Sequence, residues 1–254
     1  MARDWFWGDL PEGFEKLRSA PDRLVAVRAS ATAGLNLEYL LNSRSAGGAE
    51  SGFHGRAKLA LIRMENGAGA LVRSYCHGGA LRHLTGEIFF TWPPRPFKEL
   101  AITEAARRRG VPTVEILAAG VDRIWGPFYR GWLVTRQIEG ARDLWAAVQE
   151  DSFARSSLLE SAARAIRGMH RQGICHGDLN LKNILIRREG GALKSYIIDF
   201  DKASFFPGGV PAAKARRNLA RLRRSIGKLD PQGRYLSGAD WDEIVGFYRR
   251  AETR

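Results

Sequence analysis

The chain has 254 residues, 44% hydrophobic and 26% charged, which is the balance of a soluble globular protein with ample core. A net charge of +13 admits three kinds of partner, nucleic acid, an anionic membrane surface or an anionic substrate, and does not choose among them. Two cysteines, Cys76 and Cys175, with no C-x-x-C pair and no zinc-ligand spacing, argue against a disulfide scaffold or a structural zinc site; they read as free thiols of a reducing compartment.

The start of the chain, Arg3-Asp4-Trp5-Phe6-Trp7-Gly8-Asp9, lacks the apolar stretch of a signal peptide. No segment is long and apolar enough to span a bilayer, so the expected location is the cytoplasm. Residues 1–50 carry no assignable role and are set apart as an N-terminal extension. Segment 43–55 is small and Gly/Ser-rich and reads as a loop. It runs into the Gly-containing turn Ser51-Gly52-Phe53-His54-Gly55-Arg56. Apolar runs 57–64 and 69–76, joined by Glu65-Asn66-Gly67-Ala68, predict a β-hairpin. Residues 96–109 predict a helix, with Pro96 in its first turn, Arg107, Arg108 and Arg109 at its negative end, and Gly110 and Pro112 to stop it. Two strand-like runs follow, 113–118 and 128–138, and the second ends at Glu139-Gly140, where a boundary between two lobes is expected.

From there the pattern turns helical. Residues 142–149 predict a short helix. Residues 152–171 predict a longer one, with Leu159, Ala162, Ile166 and Met169 on one face and Gly173 breaking it. Two short apolar strands, 184–186 and 196–198, are joined by a loop containing Glu189-Gly190-Gly191. Residues 212–229 form a strongly amphipathic helix with Leu219, Leu222, Ile226 and Leu229 along one stripe. Arg217, Arg221, Arg224 and Lys228 lie along the opposite stripe, either a solvated face or an anion dock. A last helix, 239–250, carries Trp241, Ile244, Val245, Phe247 and Tyr248.

The run His176-Gly177-Asp178-Leu179-Asn180-Leu181-Lys182-Asn183-Ile184-Leu185-Ile186, followed by Ile197-Ile198-Asp199-Phe200-Asp201, carries the chemistry. An Asp, an Asn five residues on, and a second Asp beyond an apolar hairpin is the layout of phosphoryl transfer in kinase-like folds. Asp178 can take the proton of an acceptor hydroxyl, unless it merely caps a turn. Asn183 and Asp199 offer oxygen ligands of the kind magnesium prefers, and one hairpin would bring their two loops together on ATP phosphates. His176 suits a structural role, fixing the loop by hydrogen bonds. In such folds Gly55 would belong to the turn over the phosphates. Arg73, in the second hairpin strand, would bind them while ion-paired with Glu99. Arg in place of Lys changes the reach of that cation, Lys58 competes for the role, and Arg73 and Glu99 could also be unrelated surface charges. Gly177 stands where many protein kinases carry Arg, Asn180 where they carry Lys, and Asp201 where they carry Gly; no Ala-Pro-Glu element follows. Control by activation-loop phosphorylation is therefore not expected, and the short tail favours a small or non-peptide acceptor.

The motifs Leu71-Val72-Arg73-Ser74-Tyr75 with Gly78-Gly79, Gly110-Val111-Pro112, His176-Gly177-Asp178-Leu179-Asn180 with Asn183-Ile184-Leu185, Ile198-Asp199-Phe200-Asp201, and Arg216-Arg217-Asn218-Leu219-Ala220-Arg221-Leu222-Arg223-Arg224-Ser225 resemble the lipopolysaccharide kinase family, most of all its 3-deoxy-D-manno-octulosonic acid (Kdo) kinases. The likeness runs from about residue 52 to 229, and the Arg/Asn/Leu segment is its more discriminating part. It implies an α+β, protein-kinase-like two-lobed fold, with a small β-rich N-lobe at 51–139 and a reduced helical C-lobe at 140–254. It implies ATP and Mg2+ as cofactors and a hydroxyl of Kdo on a lipid A precursor as acceptor, met at the cytoplasmic face of the inner membrane. The positive charge would then serve an anionic acceptor in an anionic leaflet, with no nucleic acid expected. The open alternatives are another acceptor (a core heptose, an antibiotic or protein Ser/Thr) and a nucleotide-binding scaffold without transfer.

Overall fold

The computed structural model describes residues 10–20, 22–32, 34–35, 59–76, 87–150 and 154–250. Gly55, Lys58, Gly78-Gly79 and Trp5 to Trp7 lie outside the described residues. The chain divides into two compact units, Met1–Glu104 with Glu115–Gln137, and Ala105–Val114 with Ile138–Arg254.

The first unit is built on a six-stranded antiparallel sheet from β1 (Phe14–Ala20), β2 (Arg23–Arg28), β3 (Leu59–Arg63), β4 (Gly69–Ser74), β5 (Ile116–Trp125) and β6 (Phe128–Arg136), in the order β1-β2-β5-β6-β4-β3. Residues 14–28, which carry no recognisable signal alone, thus supply two strands of this sheet. The central strands are apolar without alternation, Leu24-Val25-Ala26-Val27 and Ile116-Leu117-Ala118-Ala119, because both faces of the sheet are covered. One face packs Leu24, Ala26, Ile116 and Leu133 against Phe97 and Leu100 of helix α1 (Arg95–Arg108), with Phe89 and Tyr75 alongside. The other packs Val25, Val27, Leu117 and Val134 against Ala31, Leu35 and Met64.

Strand β5 corrects the sequence reading, which stopped it at Ala118. Gly120 looks like a breaker, but a Cβ there would lie 2.2 Å from the ring of Trp132 on the paired strand. The glycine makes room for the largest fully buried side chain, and the strand runs on to Trp125.

The second unit holds β7 (Arg142–Asp143), α2 (Leu144–Gln149), α3 (Arg155–Arg171), β8 (Ile174–Cys175), β9 (Ile184–Glu189), β10 (Ala192–Ile197), β11 (Ser204–Phe205), α4 (Ala212–Leu229) and α5 (Gly238–Arg250). Asp143 caps α2, its carboxylate accepting the Ala146 N–H at 2.8 Å. The buried stripe Leu159, Ala162, Ile166 and Met169 of α3 matches the predicted face. Small side chains let α3 lie close to β10. Ser161 donates to the Leu193 carbonyl at 3.1 Å, and its hydroxyl sits 2.8 Å from that of Ser195.

Candidate active site

The β9–β10 hairpin sets the geometry. Ile184 pairs with Ile197, so Asn183, just before β9, and Ile198-Asp199, just after β10, sit at the same end. The Ile198 N–H donates to the Asn183 carbonyl at 3.0 Å and fastens the two segments.

His176 joins the Asp178 loop to that end. Its Nδ1 accepts the Asp178 N–H at 3.0 Å, which leaves Nε2–H to donate to the Ile198 carbonyl at 2.8 Å. The ring is 1% exposed, and burial holds its pKa below the ordinary value even though the Ile198 bond opposes the shift. Imidazole here is a neutral brace rather than a general base. Gly177 is required by close approach: a Cβ would lie 2.0 Å from the Lys202 carbonyl oxygen. No side chain, least of all Arg, fits between these two segments.

The Asp178 carbonyl accepts two side-chain amides, Asn180 Nδ2 at 2.8 Å and Asn183 Nδ2 at 3.0 Å. Asn180 Oδ1 accepts the N–H groups of Lys182 and Asn183 at 2.9 and 3.2 Å and caps the single 3-10 turn Leu181–Asn183. Asn183 therefore commits its amide nitrogen to the loop and keeps its oxygen as a ligand. The carboxylate of Asp178 is exposed, and none of the described residues bonds it. Asp199 has φ +67°, the one positive-φ non-glycine residue among those described. Such left-handed strain persists where surrounding structure enforces it, commonly at functional sites.

Helix α4 supports the loop from behind, a role the sequence reading missed. Asn218 Nδ2 donates to the His176 carbonyl, Arg221 donates to the Gly177 carbonyl, and Ser225 Oγ accepts the Leu181 N–H at 3.3 Å. Residues 218, 221 and 225 lie three and four apart on one helix face, so a single stripe holds the loop at residues 176, 177 and 181. Asn218 Oδ1 in turn accepts from His170 Nε2 at 2.9 Å, and His170 Nδ1 accepts from the Tyr248 hydroxyl of α5 at 2.8 Å. His170 is 2% exposed, and burial lowers its pKa from 6.5 to about 4, so it too is neutral. The available signal was Asn218, a polar residue inside an apolar stripe. Arg221, counted with the basic stripe, turns to the loop instead of serving only as a solvated cation.

The other candidates lie in the first unit. Arg73 on β4 donates through Nη2 to both oxygens of Glu99 on α1, at 2.6 and 2.5 Å. The Tyr75 hydroxyl also donates to Glu99. Glu99 is 2% exposed, so this is a buried carboxylate satisfied by a guanidinium and a phenol rather than a surface pair.

The lipopolysaccharide kinase (Kdo/WaaP) family profile matches residues 54–248. The chain belongs to this family. A 3-deoxy-D-manno-octulosonic acid kinase of Actinobacillus succinogenes is 31% identical over 187 residues, 72% of this chain and 76% of the relative. The enzyme of the same name from Xylella fastidiosa is 34% identical over 165 residues, 63% of this chain and 62% of the relative, so there the match spans under two thirds of the curated protein. Among solved structures, WaaP in complex with acyl carrier protein aligns with TM-score 0.55 over 86% of this chain and 88% of that one, at 19% identity. That likeness shows the fold: a mixed α/β kinase-like protein with an antiparallel sheet. The lipopolysaccharide kinase segment 54–248 takes in every candidate side chain described above.

Proposed function

We propose that this lipopolysaccharide kinase family member transfers the γ-phosphate of ATP to a hydroxyl of Kdo on a lipid A precursor. The observation that carries the reading is the junction of Asp178, Asn183 and Asp199 at one hairpin end, braced by His176, in a chain of this family. Asp178 takes the hydroxyl proton as the acceptor oxygen bonds to the γ-phosphorus; the bond from that phosphorus to the β,γ-bridging oxygen breaks and ADP leaves. Asn183 and Asp199 would hold Mg2+. The described residues contain no cluster of three or more His, Cys, Asp or Glu, and two hard oxygen donors suit an ion that completes its shell with phosphate oxygens and water. Bound there, the ion neutralises charge developing on the phosphates.

In this reading Arg73 contacts nucleotide phosphates in an orientation set by Glu99, and the Gly55 turn covers them. On the same reading the two compact units correspond to the β-rich N-lobe and the reduced helical C-lobe of a protein-kinase-like fold, divided near 139/140, and the break between Gln137 and Ile138 supports that division. Because β1 and β2 belong to the first unit's sheet, residues 14–28 count with the N-lobe and not with an extension at 1–50 preceding it. The acceptor is lipid-linked and anionic, which suits a +13 protein working at an anionic leaflet. Among the described residues no helix is long and apolar enough to cross a membrane, so such work would be peripheral.

The test is transfer of labelled phosphate from ATP to Kdo-lipid A, with heptosylated core and a generic protein in parallel. Label on Kdo-lipid A that disappears in Asp178→Ala and loses its magnesium dependence in Asp199→Asn supports the reading. Label on heptosylated core alone would discard Kdo as acceptor.

A further inference from the structure

The first unit carries a group of aromatic rings that its cores do not absorb. At the tip of the β5–β6 hairpin, Trp125 is 74% exposed and stacks on Phe128, with centroids 6.0 Å apart and planes 14° apart. Phe128 meets Phe90, 67% exposed, at 5.6 Å. The bridge between Phe89 and Tyr129 holds Phe90 beside the hairpin. Ile124 and Trp92 are also about half exposed, at 47% and 51%.

These rings sit on a firm base. Arg123 donates to the Gly126 carbonyl at 3.1 Å and braces the turn Gly126-Pro127. Behind the exposed rings, Phe89 and Tyr129 are buried in the sheet's core. Three contiguous rings presented to water, two on the hairpin and one beside it, are unusual for a surface with no partner. Trp settles at the boundary between headgroups and acyl chains, and Phe is among the apolar residues that interfacial segments bury there. The flank is cationic. Arg130 is exposed and registers opposite Asp122, whose carboxylate is taken up by Arg23 at 2.6 Å, and Arg123 stands next in the strand. Arg23 and Arg130 beside one neutralised aspartate leave this flank positive and complement anionic headgroups.

We infer that the Phe90–Phe128–Trp125 tip is a membrane-interface anchor, inserting its rings at the headgroup boundary of an anionic bilayer while the exposed Arg130 meets lipid phosphates. The inference rests on the reading of a lipid-linked acceptor and assigns the surface that reaches the leaflet holding it.

The test uses the full chain and vesicles of phosphatidylcholine with or without phosphatidylglycerol. The triple variant Phe90→Ala/Trp125→Ala/Phe128→Ala is expected to lose vesicle binding by roughly tenfold or more, since partitioning scales with apolar area buried in the interface. Arg130→Glu, which leaves the rings intact, should weaken binding to the phosphatidylglycerol vesicles alone, and less so at high salt. Thermal melting and turnover of a deacylated, water-soluble Kdo saccharide should be unchanged in both variants, while turnover of vesicle-borne Kdo-lipid A falls. Vesicle binding equal to the parent's in the triple variant overturns the anchor, as does a parent that binds neither vesicle. A triple variant that changes only self-association also overturns it, because the rings would then face a second copy. If the parent phosphorylates neither acceptor yet its vesicle binding depends on the rings, the anchor stands and the Kdo reading fails.

Discussion

The two units hold their charged side chains by opposite means. In the first, Arg73 and Glu99 hold each other: the carboxylate is buried, and the guanidinium and the Tyr75 phenol both donate to it. In the second, no described residue bonds the Asp178 carboxylate, and the backbone around it is held by neutral imidazole and amide groups and by Arg221. A side chain that must exchange protons with an acceptor cannot also be tied into a structural pair. A cation that must keep one orientation benefits from being tied. The comparison predicts that a single substitution can separate function from stability in the second unit, whereas in the first a single substitution at the pair lowers both.

The sharpest break is Asp178→Ala. Transfer should fall by roughly 10²–10⁴-fold, the contribution of a positioned acid–base group. The denaturation midpoint should not move, because no described residue bonds that carboxylate. A large loss of stability in this variant would place Asp178 in a structural network and end the comparison. Next is Arg73→Met, which leaves Glu99 buried with its main partner gone. Breaking such a pair destabilises by about 3–5 kcal/mol, read as a lower urea midpoint. Arg73→Met with Glu99→Met should recover most of the stability and none of the activity. If the single variant were as stable as the parent, the pair would be a surface contact and its orienting role would fail.

Much of this was legible in the residues because the steps are local. Asn-Gly between apolar runs gives the β3–β4 turn, Gly110 and Pro112 end α1, and the apolar hairpin between Asn183 and Asp199 brings those two residues to one end, as their spacing implied. What was not legible depends on distant partners. Nothing near Gly120 announces that Trp132, twelve residues on, needs its missing Cβ. Gly177 looks like a mere departure from Arg until Lys202 is seen against it. Asn218 and His170 are ordinary helix residues until α3, α4 and α5 bring them onto the back of the His176 loop. The β1–β2 hairpin at 14–28 is local, but the strand through which it joins the sheet, β5, pairs with β2 from about a hundred residues away.

The neutral bracing in the second unit has a pH signature. His170 has a pKa of about 4 in the fold against 6.5 ordinarily. As pH falls below 6.5 the unfolded chain binds a proton that the folded chain refuses, so stability declines down to about pH 4 and then levels off. The full loss from this one group is roughly 3 kcal/mol, and His176 adds to it in the same direction. His170→Gln keeps a donor and an acceptor but does not titrate. Its melting temperature should fall less on acidification than the parent's, and an equal fall would show that His170 is not the group responsible.

The smallest expected effect separates two arginines of one helix. Arg221 reaches the Gly177 carbonyl, one residue before Asp178, whereas Arg217 and Arg224 are exposed on α4. Arg221→Met should lower kcat about fivefold, the equivalent of ~1 kcal/mol for a charged bond at an exposed position, with KM for ATP unchanged and partial rescue by Arg221→Lys. Arg217→Gln with Arg224→Gln should leave kcat alone and reduce only the salt dependence of binding to anionic vesicles. A uniform basic stripe would make all three positions behave alike, through salt. A helix that grips the Asp178 loop on one side and meets solvent on the other makes them differ in kind, and the kcat of Arg221→Met distinguishes the two at a single salt concentration.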